Sequence, residues 1–584
     1  MKSLFISLLL TAFPAFLFSQ QDTTQHNIEN CFSFMDTEDI AEEDVLKYSD
    51  QVSHLHIFNT EGNKKPAWYK HKGQHSPTCL AIKGNFFPEN NTNPQLPEII
   101  FHFKNLRSLN LSRSYTKLSA IPSNISKLTN LEELCFPSHA AQTIPEELFQ
   151  LKKLKKLDLS DNEISQLPEN ISTLTHLETL ILNQNKIKSL PEAIGKLSKL
   201  KRLEIRGANI AALPKSLTTL STLEILTLTG NPISALPVDI GELTMLKELI
   251  AINCQISSLP ESITALHNLE ILMLTKNNIS SLPKHIYQLG KLRVLSLGEN
   301  KLTALPENFT QLTQLRQLNL QVNKLSSLPE NISNLRNLQF LFLSSNQITR
   351  LPEGIWLLKD LEELHIGGNQ ITILPEKISA LQNLQALTIS SNNLSVLPEG
   401  VTALTKLKRL DIFNNKIGSL PESIDKLSNL ETIYASNNKI GKLPASLFNL
   451  PQLRNLHLEN NTIRELPAAI GRLQQLWQLQ IQKNQLTALP DSIGALSNLY
   501  LLNVSGNKIT KLPESITRLT TLSILILENN NLSGLPGDFT KMLQLYDVQL
   551  SGNINLTITA EQKKFLEEIK LHRPTMMPLY ERIF

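Results

Sequence analysis

His54 and His56 alternate along what reads as a short strand. Two imidazoles on one strand face are the beginning of a metal site. Two solvent-facing side chains on an edge strand account for the spacing better, so no metal is expected. The other histidines are scattered. Cys31, Cys79, Cys135 and Cys254 form no C-x-x-C pair, which argues against structural zinc and against a thioredoxin-like motif. In an exported chain Cys31 and Cys79 could close a disulfide across an N-terminal cap, with free thiols the equal alternative. The chain has no phosphate-cradling G-x-x-x-x-G-K-[ST], no G-x-G-x-x-G, no G-x-S-x-G and no H-E-x-x-H. The acidic run Asp36 to Asp44 reads as a solvated helix face. No catalytic residue and no cofactor is expected.

The elements that position these residues follow from patterning. Over 584 residues, 41% hydrophobic content makes a core attainable, and a net charge of +3 lacks the dense basic stripe of a nucleic-acid binder. Lys2 followed by the apolar run Leu4 to Phe18, with Ser19 before Gln20-Gln21, reads as a secretory signal over 1–19. The run is short for a bilayer span and no second one follows. The chain is therefore expected to be exported (periplasmic, cell-surface or secreted), with no membrane span after cleavage.

Leu-Pro pairs set the organisation. From Pro122 to Pro536, nineteen prolines recur every 23 residues. One turn runs Leu177, Leu180, Leu182, Asn185, Ile187, Leu190-Pro191, Ile194, Leu197. Twenty strand halves of the form L-x-x-L-x-L-x-x-N-x-I follow one another from Leu106 to Leu545. Alternation sends Leu180 and Leu182 to one side and Ile181 to the other. One coil cannot enclose its apolar set, so stacked coils must bury it, with the strands forming a parallel sheet. Ile194 and Leu197 suggest a short helical turn behind the sheet. The Asn column, kept in sixteen of twenty coils, is expected to satisfy backbone groups of adjacent turns. Ser114, His139, Ala208 and Cys254 replace it, and Ala208, lacking donor and acceptor, predicts a weaker coil. The N-terminal stretch predicts a helix over Ile40 to Tyr48, a strand through Val52, Leu55 and Ile57, and a degenerate coil at Leu80, Ile82 and Asn85. Thr559 is positioned to cap a helix through Phe565, Leu566 and Ile569. Leu579 to Phe584 would add a last strand.

The coil L-P-E-x-I-x-x-L-x-x-L-x-x-L-x-L-x-x-N-x-I resembles the 23-residue leucine-rich repeat of bacterial envelope and secreted proteins, and is similar to that of the animal Ras-scaffold proteins. The resemblance runs from Leu106 to Asn553 and implies an α/β leucine-rich-repeat solenoid. That fold is a curved horseshoe with a parallel β-sheet on its concave face and short helical or irregular turns on its convex face. The expected division is a signal peptide (1–19), an N-terminal cap with a helix and two degenerate coils (20–105), a solenoid of twenty coils (106–556) and a C-terminal helical cap (557–584). About thirty residues follow the last repeat, too few for a ubiquitin-ligase, kinase or GTPase domain.

Function is expected on the concave face, where outward residues need not be apolar for folding. Ile225, Ile250, Ile252, Ile271, Met273 and Val294 would line adjacent coils. Phe340 and Phe342 share a strand. Leu501, Ile524 and Ile526 sit near the C-terminal end. Between these groups lie His365, Phe413, Tyr434 and His457. Polar Gln317, Asn319, Gln321, Gln478, Gln480 and Gln482 surround them. Aromatic anchors ringed by polar side chains make binding hot spots. A non-catalytic monomer that binds a protein partner is the expectation. An intracellular signalling scaffold and a cell-envelope glycan binder are the alternatives. A hydrolase would need convergent acids, and outward Asp158, Glu248, Glu363 and Asp411 are spread over many coils.

Overall fold

The structure is a computed structural model and describes residues 54–59, 79–84, 96, 98–114 and 117–571. The signal, the helix expected over Ile40 to Tyr48, Cys31 and the C-terminal strand lie outside these residues. So do the side chains of His54, His56 and Cys79. The described residues fall into two compact units, one ending at Asn277 and one beginning at Asn278.

Each unit repeats a single coil. The strand half is three residues long, as in Thr179–Ile181, with Leu180 buried and its two flanking residues half-buried. Leu177, Leu182, Ile187, Ile194 and Leu197 are fully buried with it. Pro191, extended at φ −72° and ψ 152°, leads into the 3-10 turn Glu192–Lys196. Its missing N–H costs nothing there, and its carbonyl accepts from Ile194 N at 3.1 Å to start the turn. Because every coil advances by the same 23 residues, strands pair in parallel without slippage, as in Phe340↔Glu363, Leu341↔Leu364, Phe342↔His365. Outward side chains consequently stand in straight columns that cross the strands.

In the first unit two longer strands, His54–Asn59 and Cys79–Gly84, pair in parallel and lead into Ser108–Ser114. At the far end of the second unit an α-helix, Ala560–Leu571, closes the apolar edge with Ile569 buried. Thr559 Oγ1 accepts from Gln562 N at 3.2 Å, and Gln562 Oε1 accepts from Thr559 N at 3.1 Å, a reciprocal cap.

The Asn column holds the coils together. Asn185 Oδ1 accepts from Ile164 N at 3.0 Å, one coil back, while its Nδ2 donates to Leu159 O at 2.9 Å and Leu182 O at 3.1 Å. Ahead of each such position the chain turns sharply through a left-handed residue, usually Asn, Gly, Ser or Lys, for example Asn414 at φ 53°. Val322, at φ 52°, is a β-branched residue in that conformation, which costs roughly 1–2 kcal/mol. Where the column departs from Asn, substitutes appear. His139 Nδ1 accepts from Leu118 N at 3.2 Å, and Cys254 Sγ points its weak donor at Leu228 O, 3.4 Å away. At Ala208 no side chain can receive the amide of Ile187. Asn231 compensates in part: its Oδ1 accepts from both Ala208 N, at 3.1 Å, and Ile210 N, at 3.0 Å.

Candidate partner-binding surface

The first and third residues of each strand face away from the core, and so does the residue two positions further on. The sheet therefore presents three columns. In the first unit, Ile225 and Ile271 stand in one column with Glu248 between them, and Ile250 adjoins Met273 in the next. Ile225, Ile250, Ile252 and Ile271 are half-buried, whereas Met273 is almost fully covered. Val294, also half-buried, belongs to the second unit. The isoleucines therefore share a face, interrupted by a carboxyl that burial pushes up from its ordinary pKa.

The second unit brings the aromatic candidates together. Phe340 and Phe342 lie half-buried on one strand. The Phe342 ring stacks on His365 of the next coil, with centroids 4.9 Å apart and planes 13° apart. His365 Nε2 sits 2.9 Å from Glu363 Oε2, and this hydrogen bond holds the Glu363 carboxyl below its ordinary pKa. Further along, Tyr434 lies against His457 at 4.8 Å. His457 is buried beneath this contact, so Tyr434 is the ring a partner would meet. Phe413 is half-buried two residues beyond Asp411, whose Oδ1 accepts from Phe413 N at 3.0 Å. Leu501 and Ile524 occupy the same face but are buried, so they offer little area to a ligand.

The electrostatics of this region follow from desolvation. Burial pushes Asp411, Tyr434 and Glu459 up and brings His457 down to about 4. His457 is therefore neutral at pH 7. The Glu363–His365 pair is of the kind that can orient a base. Here its ring face is spent on Phe342, and the arrangement supplies a flat polar-aromatic platform.

One column escaped the sequence reading, the residue just before each strand. In the first unit it alternates in sign, with Lys155–Glu132 at 2.7 Å, Lys201–Glu178 at 2.8 Å and Lys247–Glu224 at 2.7 Å. In the second unit the same column carries Trp477 stacked on Tyr500 at 5.0 Å and 15°. Tyr500 and Tyr546 join their hydroxyls at 2.8 Å across the small Ser523. Reading the sequence down its 23-residue period at that position would have exposed both rows.

Polar satisfaction also differs along the face. Near its start, Glu204 takes Arg202 at 2.8 Å and Arg206 at 3.2 Å, and Asn183 Oδ1 accepts from Arg206 N at 2.8 Å. Among the described residues of the second unit, Asn319 Nδ2, Gln321 Oε1, Glu459 Oε2 and Gln482 Oε1 are buried on the sheet face with no protein partner.

With this geometry in hand, comparison with known proteins gives a consistent result. Family models match for a leucine-rich repeat region at residues 146–207, 403–481 and 445–508, for a leucine-rich repeat at 267–325 and for paired leucine-rich repeats at 336–381. Among solved structures, a leucine-rich-repeat protein of Leptospira interrogans is 31% identical, covering 72% of this chain and 95% of that one, with a TM-score of 0.54. The plant peptide hormone receptor RGFR1, solved with RGF2, is 28% identical over 86% of this chain and 84% of that one, with a TM-score of 0.64. The Arabidopsis receptor kinase HAESA, solved with the peptide hormone IDA and the co-receptor SERK1, is 28% identical over 80% and 77%, with a TM-score of 0.60. No curated protein matches the chain. The chain belongs to the leucine-rich-repeat family, and its fold is the leucine-rich-repeat solenoid. Among the described residues no helix is long and apolar enough to cross a membrane.

Proposed function

We propose that this chain is an exported, non-catalytic recognition protein that binds another polypeptide on its concave sheet face. Residues 106–556 serve as the recognition solenoid between an N-terminal cap and a C-terminal helical cap. The observation that carries the reading is the grouping in the second unit of Phe340, the Phe342–His365 stack, Phe413 and the Tyr434–His457 pair. Half-buried aromatics beside buried, unpaired polar atoms are what a desolvated hot spot requires. The mechanism is rigid presentation. The coils are held by the Asn column before any ligand arrives, so little ordering entropy is spent on binding. The isoleucine group of the first unit is a secondary contact area. Relatives solved with peptide hormones support a polypeptide as the partner class. Export rests on the pattern of residues 1–19.

The test is site-specific photocrosslinking of the full chain, with p-benzoylphenylalanine placed at Phe342 or, as a control, at Ile373, which is 76% exposed and lies off the sheet face. A protein captured from position 342 and not from 373 is the expected result. Equal capture at both positions, or capture from 373 alone, rejects concave-face recognition. Mass spectrometry of the mature chain should find Gln20 at its N-terminus. A retained Met1 on a cytosolic chain would instead favour the intracellular scaffold.

A further inference from the structure

Two side-chain amides on the sheet face of the second unit are built in without partners. Asn319 is 1% exposed and Gln321 is 7% exposed. Asn319 Oδ1 accepts from Gln321 N at 3.0 Å, which fixes the amide and leaves Nδ2 as a free donor. Gln321 Oε1 is likewise buried and unpaired. A buried amide that forgoes hydrogen bonds is costly, and a ligand that supplies the missing groups recovers that cost.

The surroundings narrow what such a ligand is. One coil back stands Gly298. A Cβ there would lie 3.0 Å from Asn319 Oδ1 and 3.1 Å from Gln321 Cγ, so only glycine leaves the space beside the amides open. In the other direction the column of Gln321 continues through Ser344, Gly367 and Ser390, all small, until Phe413 closes it. Phe342 and His365 wall this trough on the strand side. From the coil of Gly298 to that of Ser390 there are five strands in register, roughly 19 Å at about 4.8 Å per strand. That length holds about six residues of extended chain at roughly 3.3 Å each. A narrow trough with one free donor, one free acceptor and an aromatic wall suits a peptide group followed by an apolar side chain. A sugar ring would need an open aromatic face, and one face of Phe342 is already covered by His365.

We propose that Asn319 and Gln321 clamp a backbone peptide group of an extended partner segment, which lies across the strands in the trough from Gly298 to Ser390 with an apolar side chain against Phe340 and Phe342. This rests on the concave-face reading above and adds the conformation and register of the partner.

The experiment pans a phage-displayed library of random dodecapeptides on the full chain, then titrates the selected synthetic peptides by fluorescence anisotropy. Asn319→Leu, Gln321→Met and Gly298→Val should each weaken binding about tenfold or more, with hydrogen exchange showing the coil intact. N-methylation of one internal peptide amide should cost about tenfold on the parent and nothing further on Gln321→Met. Selected peptides indifferent to all three substitutions, or a flat N-methylation scan, overturn the clamp. If those peptides still depend on Phe340→Ala and Phe342→Ala, concave recognition survives while the clamp fails. Failure of every library peptide alongside binding of an intact folded partner rejects the extended segment. Binding on a glycan array, sensitive to Asn319→Leu with no peptide selected, rejects a polypeptide ligand altogether.

Discussion

The two units use one repeat to opposite ends. In the first, the Asn column is interrupted by His139, Ala208 and Cys254, and the charged groups facing out are largely matched to each other. In the second, Asn occupies the column in every coil from Asn300 to Asn553, while the sheet face keeps buried amides and a carboxyl oxygen unpaired. A stiff backbone frame is what allows a surface to hold desolvated, unsatisfied groups in place. Such groups cost stability, and an uninterrupted ladder of buried hydrogen bonds offsets that cost. The contrast locates recognition in the second unit and leaves the first as the more self-contained half.

That contrast can be broken in several ways. The largest effect should come from Asn415→Leu. Its Oδ1 accepts from Leu394 N at 3.0 Å and its Nδ2 donates to Ile389 O and Ile412 O. Leaving these groups buried and unpaired should cost about 3 kcal/mol or more. Hydrogen exchange should show protection lost in neighbouring coils of the second unit, and unchanged protection would mean the ladder is not what stiffens them. Next, Phe340→Ala with Phe342→Ala should weaken partner binding about a hundredfold, near 2–3 kcal/mol for a hot spot. Ile225→Ala with Ile250→Ala should cost less than about fivefold, and a reversed ranking would move the site to the first unit.

Acid sharpens the comparison differently. His139 is neutral in the folded chain, with burial holding it at about 4 against an ordinary 6.5. The unfolded chain therefore takes up the proton first. This contribution is intact above about 6.5 and declines as pH falls from there toward 4. Exchange in the first unit, measured at pH 7 and pH 4.5, should show the parent losing stability relative to His139→Asn. Parallel pH profiles would place the ring's role elsewhere. His457 pushes the second unit in the same direction. The smallest effects are gains. Ala208→Asn should restore an acceptor for Ile187 N and stabilise the first unit by about 1 kcal/mol. Val322→Asn should relieve the left-handed strain by about 1 kcal/mol in the second. Thermal unfolding of the two variants checks both.

The repeat was readable because its causes are local. Leu, Pro and Asn at fixed intervals state which residues must be buried, where the sheet ends and which polar group enters the core. Outward positions were legible too, since strand alternation is a period of two: Phe340, Phe342, His365 and Tyr434 stand on the sheet face. What escaped was depth. Met273, His457, Leu501 and Ile524 share that face and are nevertheless covered, because accessibility depends on side chains 23 residues away on either side. The Trp477–Tyr500–Tyr546 row escaped for a related reason, its members being neighbours only once coils are stacked.

The sequence by itself determined the coil, the number of its repetitions and the buried Asn column, because each is a matter of spacing along the chain. Only the tertiary structure decided which outward side chains satisfy one another and which remain unpaired. Asn319 and Gln321 look no different in the sequence from Gln478 and Gln480. Their isolation comes from the absent side chain of Gly298 on one side and the ring of Phe342 on the other. Hydrogen bonding between coils is a property of adjacent columns, and columns exist only after the chain has folded.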